Sequence, residues 1–202
     1  MIRNMIFDMG NVLIDYNPKR LIAEFVSDER DALLLYDAIF GGPNWQALDA
    51  GTMTDGEFII NTLCLLPQRL HAMARKLYGM WHTHYLDIPE ATALVKELKG
   101  KGYKLYLLSN ASMKWFDYQY DYEAFSYFDG FLISANEKCV KPDRAIYARL
   151  FEMFHLVPEE CFFVDDRPEN IEGAKKAGMD GFALTHYQYD ELRAALKAKG
   201  VL

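Results

Sequence analysis

Three apolar runs in this chain stop abruptly on polar side chains. Met5-Ile6-Phe7 ends on Asp8, Lys104-Leu105-Tyr106-Leu107-Leu108 on Ser109-Asn110, and Cys161-Phe162-Phe163-Val164 on Asp165-Asp166. Short continuous apolar runs suit strands buried on both faces of a parallel sheet. From residue 89 onward, helical spacing fills the intervals between them. Helices are expected over Pro89 to Lys99, Asp143 to Phe154 and Pro168 to about Ala177, with Gly100 and Gly178 as stops, and a further helix after Asn110. Gly130-Phe131-Leu132-Ile133 and Gly181-Phe182-Ala183-Leu184 add two more strands, and an amphipathic helix closes the chain. Strand alternating with helix predicts an α/β fold with a Rossmann-like parallel sheet and right-handed crossovers. Open sheets of this class bind ligands beyond the carboxyl ends of their strands. Residues remote in sequence are therefore expected to meet along one edge.

The stretch between the first strand and residue 89 has a different pattern. Leu21, Ile22, Phe25 and Val26 recur at helical spacing, as do Leu33, Leu34, Tyr36 and Ala38. Asn17-Pro18 is a helix start, Gly41-Gly42-Pro43-Asn44 a break, Thr54-Asp55-Gly56-Glu57 a capping box, and Pro67 the opening of a helix running to about Gly79. The expectation is an all-helical cap, residues 17–88, inserted into a core made of residues 1–16 and 89–202. At 202 residues and 51% hydrophobic, the chain can bury a core domain plus such an insertion.

The convergent set defines a chemistry. Carboxylates with a serine hydroxyl and the ammonium of Lys141, which precedes Pro142, suit a hard divalent cation and a phosphate. Mg²⁺ takes oxygen ligands and commonly shares them with substrate phosphate, while a lysine and backbone N–H groups hold phosphate oxygens. The reaction best served is phosphoryl transfer through an aspartyl-phosphate, with Asp8 attacking phosphorus. A net charge of −7 argues against nucleic acid and anionic membranes as partners. It leaves room for a small phosphorylated metabolite, because local cations override the global field. No apolar stretch approaches the roughly 20 residues that span a bilayer. Asp8 interrupts any signal-peptide pattern, and Cys64, Cys139 and Cys161 share no CxxC spacing. The expected setting is cytoplasmic, with thiols reduced and either a monomer or a homodimer.

With these residues in place, the sequence resembles the haloacid dehalogenase superfamily, in the branch with a helical cap after the first strand. The motifs are FDMGNV at Asp8, LLSN at Ser109, VKPDRAIY at Lys141, and FFVDDRPENIEGA at Asp165-Asp166. FDMGNVLID and VDDRPENIEGAKKAG are similar to small bacterial sugar phosphatases of the α-glucose-1-phosphate phosphatase type. The resemblance implies Asp8 as nucleophile. Asp8, the Gly10 carbonyl, Asp166 and Asp165 (direct or through water) hold Mg²⁺, and Ser109, Asn110 and Lys141 hold phosphate. It also exposes a departure: most phosphatases of this family have an acid/base Asp where this chain has Gly10. Asp15 is one substitute to consider. Asn170 is expected to hold the last loop or a water, Tyr147 to pack, His82 and His84 to serve a hinge or an interface, and Trp45 to select substrate. The rival readings are a metal-free 2-haloacid dehalogenase, in which Asp8 attacks carbon, and a regulatory protein that kept the site but lost efficient turnover. Asp165-Asp166 weighs against the dehalogenase, whose last motif carries neutral residues.

Overall fold

The computed structural model describes residues 1–202. In chain order the elements are β1 (Asn4–Phe7), β2 (Ile14–Asp15), α1 (Pro18–Ala23), α2 (Glu29–Ile39), α3 (Pro43–Asp49), α4 (Asp55–Cys64), α5 (His71–Met80) and β3 (Leu86–Asp87). There follow α6 (Pro89–Gly100), β4 (Lys104–Ser109), α7 (Trp115–Tyr118), β5 (Gly130–Ile133), α8 (Ser134–Glu137) and α9 (Arg144–Phe154). The chain ends with β6 (Cys161–Asp165), α10 (Pro168–Lys176), β7 (Asp180–Ala183) and α11 (Tyr189–Ala198).

Five strands form one sheet in the order β5-β4-β1-β6-β7, and every pairing is parallel. The chain builds outward from β1 to β4 and β5, then returns to add β6 and β7 on the other side of β1. The order therefore reverses at β1 and β6, and a crevice opens beyond their carboxyl ends, the switch point at which such sheets bind ligands. Strand alternation divides the core into two layers. Met5, Phe7, Leu105, Leu107, Phe162 and Val164 face a large apolar cluster shared with α6 and α11. Ile6, Tyr106, Leu108 and Phe163 face a smaller one built with α9 and α10. The larger cluster runs on without interruption into Leu35, Ile39, Phe58, Leu77 and Trp81 of the helical insertion. That continuity ties the insertion to the sheet by burial of apolar surface, the dominant favourable term in folding.

Local chemistry explains most boundaries. Asn17 caps α1 by accepting from the Arg20 N–H, and Asp28 caps α2 by accepting from the Asp31 N–H. The capping box is formed: the Thr54 hydroxyl accepts from the Glu57 N–H while the Glu57 carboxylate takes the Thr54 N–H. Three expectations needed adjustment. The Gly41-Gly42 break is short, because Pro43 occupies the first turn of α3, where its missing N–H has no intrahelical partner to lose. Pro67 opens only a 3₁₀ turn, Gln68–Leu70, before α5 begins at His71. The helix after Asn110 is the single turn α7 followed by a 3₁₀ turn over Glu123–Tyr127. The antiparallel pair β2–β3, with Ile14 opposite Asp87 and Asp15 opposite Leu86, was not legible at all. At two residues per strand it is too short to carry a periodic signal. It zips together the two chain crossings between the sheet and the helical insertion. No helix is long and apolar enough to cross a membrane.

Candidate active site

The crevice beyond β1 and β6 is a cleft of about 510 Å³ between the sheet edge and the helical insertion. On the sheet side, β1 delivers Asp8, β4 delivers Ser109 and Asn110, and the turn after β6 delivers Asp166. After Asp8 the chain coils tightly: the Met9 carbonyl accepts from the N–H of Val12, Leu13 and Ile14, and Asn11 takes a left-handed conformation (φ 57°). The N–H groups of Met9, Gly10 and Asn110 engage no protein acceptor. Carboxylate oxygens of Asp8, Asp165 and Asp166 lie within 4.8 Å of one another.

Lys141 joins this cluster from below. Its Nζ lies 2.8 Å from Asp8 Oδ1 and donates to Asp165 Oδ2 at 2.7 Å and to the Leu108 carbonyl at 2.9 Å. The lysine side chain is 1% exposed and that of Asp165 is fully buried. The backbone of Lys141 is clamped by Asn110, whose Oδ1 accepts from the Lys141 N–H at 2.8 Å while its Nδ2 donates to the Lys141 carbonyl at 3.0 Å. Asp165 is saturated: besides Lys141, its Oδ1 accepts from Asn170 Nδ2 and from the Arg167 N–H. Asn170 is set in turn by Tyr147, whose hydroxyl donates to the Asn170 carbonyl at 2.7 Å. That approach needs Gly173, where a Cβ would come within 2.8 Å of the Pro142 carbonyl and 2.9 Å of the Tyr147 hydroxyl. The Asn170 Oδ1 is buried without a partner and its residue lines the cleft.

Electrostatics follow from this packing. Burial pushes the Asp8 carboxyl up to about 7; Lys141 opposes the shift, and the charges of Asp165 and Asp166 add to it. Burial also raises Asp166, against a hydrogen bond from Asn11 Nδ2 at 3.1 Å. Lys141 stays above the ordinary lysine range, since its two anionic neighbours outweigh the burial that lowers it. Three carboxylates against one ammonium leave two negative charges uncompensated. The donor set is all oxygen, and the orphaned Asn170 Oδ1 awaits a donor such as a bound water. This chemistry fits a hard divalent cation.

The sequence-derived residues divide as follows. Asp8, Gly10, Ser109, Asn110, Lys141, Asp166, Asn170 and Trp45 all line the cleft. Asp165 lies behind it, saturated by its partners. Asn110 differs in detail from its expected role, because its side-chain amide is spent on the Lys141 backbone and only its N–H is left for a ligand. Asp15 does not join the group. Side chains alternate along β2, so Ile14 faces the cleft and Asp15 the opposite side. There Asp15 pairs with Arg20 and accepts from the Tyr187 hydroxyl at 2.9 Å. His82 stacks on Tyr118, and His84 lies 3.5 Å from Glu24 beside the β2–β3 junction. The wall opposite the acids is aromatic, with Tyr16, Trp45, Trp81, Tyr85 and Tyr118, and it carries one further carboxyl, Asp49. Sequence reasoning missed Asp49, although it stands one helical turn after Trp45 on α3, a spacing that places the two on one face.

Known proteins bear on this arrangement. A family model described as haloacid dehalogenase-like hydrolase matches residues 2–178. Sesquiterpene phosphatase astK of Aspergillus oryzae is 29% identical over 89% of this chain and 88% of its own length. D-ribitol-5-phosphate phosphatase of Bacteroides thetaiotaomicron is 25% identical over 90% of this chain and 91% of its own. A haloacid dehalogenase family enzyme of Bacteroides thetaiotaomicron, crystallised as a magnesium complex, superposes with a TM-score of 0.73 at 23% identity, covering 95% of this chain and 98% of that one.

Proposed function

Since this chain belongs to the haloacid dehalogenase-like hydrolases, we propose that it is a Mg²⁺-dependent phosphoric monoester hydrolase that works through an aspartyl-phosphate on Asp8. The observation that carries the reading is the buried cluster itself, in which Asp8 lies beside two further acids and one lysine at the sheet's switch point. Residues 1–16 and 89–202 are the core that holds the chemistry, and residues 17–88 the cap that closes over it. Asp8, Asp166 and the Gly10 carbonyl would hold the ion, with Asp165 behind them. When bound, the cation neutralises repulsion between the nucleophile and the phosphate.

This chain's own groups do the rest. Lys141 and Ser109, with the free N–H groups of Met9, Gly10 and Asn110, hold the phosphoryl oxygens as charge develops on them. Asp8 Oδ attacks phosphorus in line, and the leaving oxygen departs on the opposite side, toward the cap. Water then attacks the acyl phosphate and restores the Asp8 carboxylate. The aromatic wall excludes bulk water and presents flat apolar faces to the organic part of the substrate. Those faces suit the C–H surface of a sugar or polyol phosphate as well as a more apolar phosphate ester. The two curated relatives act, by name, on a sesquiterpene and on D-ribitol 5-phosphate.

A phosphometabolite screen with Mg²⁺, using Asp8→Asn as the blank, tests the reading. Phosphate release by wild type alone, abolished by a chelator, is expected. Release that continues unchanged in excess chelator would refute the metal, and equal release by wild type and Asp8→Asn would refute the nucleophile.

A further inference from the structure

An alkoxide is a poor leaving group, so a phosphatase acting on sugar or polyol phosphates needs a proton donor near the departing oxygen. In-line displacement puts that oxygen on the side of phosphorus away from Asp8, facing the cap. Gly10 supplies no acid, and Asp15 points out of the cleft into a neighbouring groove. Three carboxyls line the cleft, Asp8, Asp166 and Asp49. The first is the nucleophile, the second belongs to the cation set, and only the third stands across the cleft on the cap.

Asp49 is also held in place. Its carbonyl accepts from the Ser134 hydroxyl at the start of α8, directly after β5. Two residues on, Gly51 takes φ +65° and lies so close to α8 that a Cβ there would come within 2.1 Å of the Ala135 carbonyl oxygen. These contacts pin the carboxyl end of α3 to the core, so Asp49 keeps its place relative to the phosphate site. Position 10 is covered by Tyr16, whose Cβ would lie 3.5 Å from a Cβ built there.

We propose that Asp49 is the acid that protonates the leaving-group oxygen, the role left vacant at Gly10; this rests on the phosphatase reading above. In the first step the Asp8–phosphorus bond forms and the phosphorus–oxygen bond to the substrate breaks. The electron pair of that bond stays on the leaving oxygen, which takes the Asp49 proton and departs as an alcohol. In the second step the Asp49 carboxylate accepts a proton from the water that attacks phosphorus. The bond to Asp8 breaks with its electrons returning to the carboxylate, and both acids end as they began. Burial first, and then the Asp8 charge, hold the Asp49 carboxyl well above the ordinary carboxylate range against the pull of Lys141. No protein donor is hydrogen-bonded to its oxygens to favour the anion. Both effects favour the protonated starting form.

The test is the dependence of phosphoenzyme formation on leaving-group basicity, read by acid quench with p-nitrophenyl, phenyl and benzyl phosphates in Mg²⁺. p-Nitrophenolate departs without a proton and benzyl alkoxide does not. Asp49→Asn should lose about 10²–10⁴-fold on benzyl phosphate and about tenfold or less on p-nitrophenyl phosphate, the range of general-acid effects. Equal losses across the series would overturn the assignment. Should the variant misfold, wild type alone decides: a shallow dependence supports a proton donor, and a steep one refutes it. Asp8→Asn separates the two readings. If it still forms phosphoenzyme, the phosphatase mechanism fails; if it forms none while Asp49→Asn loses equally on all three esters, only the Asp49 assignment fails.

Discussion

Lys141→Met removes the one cation from a buried cluster of acids while keeping an unbranched side chain only one atom shorter. Its ammonium is within 2.8 Å of Asp8 and 2.7 Å of Asp165, and both lysine and Asp165 are shielded from water. Removing one member of such a buried set costs about 3–5 kcal/mol, because the charges left behind are neither solvated nor paired. At about 2–4 °C per kcal/mol for a chain of this size, the melting temperature should fall by about 6–20 °C at pH 8 without Mg²⁺. The sign of the pH effect follows from Asp8, whose pKa is already raised to about 7 in the fold. A carboxyl with a raised folded pKa costs stability as pH rises from its unfolded value, about 3.9, through the folded one. The deficit should therefore shrink at pH 5, where the acid takes up its proton. Asp8→Asn in the same background removes one of the stranded anions and should recover more than about 1 kcal/mol, because contacting charges are not additive. Mg²⁺ should raise the melting temperature more in Lys141→Met than in wild type, through preferential binding to the folded state. Thermal denaturation at the two pH values, with and without Mg²⁺, reads all of this. A loss below about 1 kcal/mol at pH 8, or one that Asp8→Asn leaves unchanged, would refute the account of Lys141 as the counter-charge.

Other perturbations probe separate parts of the structure. Asn170→Ala removes one of the two donors to Asp165 Oδ1, leaving the Arg167 N–H, and should weaken Mg²⁺ binding about 10–100-fold by calorimetry, whereas unchanged affinity would show that this support is idle. Gly51→Ala imposes about 1–2 kcal/mol of left-handed strain as well as the 2.1 Å approach to Ala135. It should lower both the melting temperature and benzyl phosphate turnover, and intact kinetics would refute α3 docking as the device that places Asp49. Asp129 bonds Lys99 at 2.6 Å, Lys104 at 3.0 Å and the Leu105 N–H at 2.9 Å. Although burial raises its pKa, these bonds prevail and lower it. A depressed carboxyl contributes stability above its unfolded pKa that is lost as pH falls through the folded value. Asp129→Asn should thus cost about 1–2 kcal/mol at pH 7, and the cost should shrink as pH falls through the depressed folded value.

The sequence by itself determined the sheet and the half of the site that grows from it. Asp8, Ser109 and Asp165-Asp166 each follow a buried strand, and parallel strands share one carboxyl edge, so their meeting needed no knowledge of packing. Lys141 was legible from its motif. The role of Asn110 was not, since its amide could have met phosphate or backbone, and only the approach of the Lys141 segment made it a clamp. Asp15 shows the same limit. Its fate turned on β2–β3, a pairing of residues far apart in the chain that leaves no local pattern. The opposite wall of the cleft was decided by tertiary structure alone. Trp45 could be singled out within α3, yet a helix's spacing shows which residues share a face and not what that face meets. Asp49 lines the same cleft as Asp8 because Ser134 and the bare backbone at Gly51 let α3 dock on α8, a contact between segments that neither segment encodes alone.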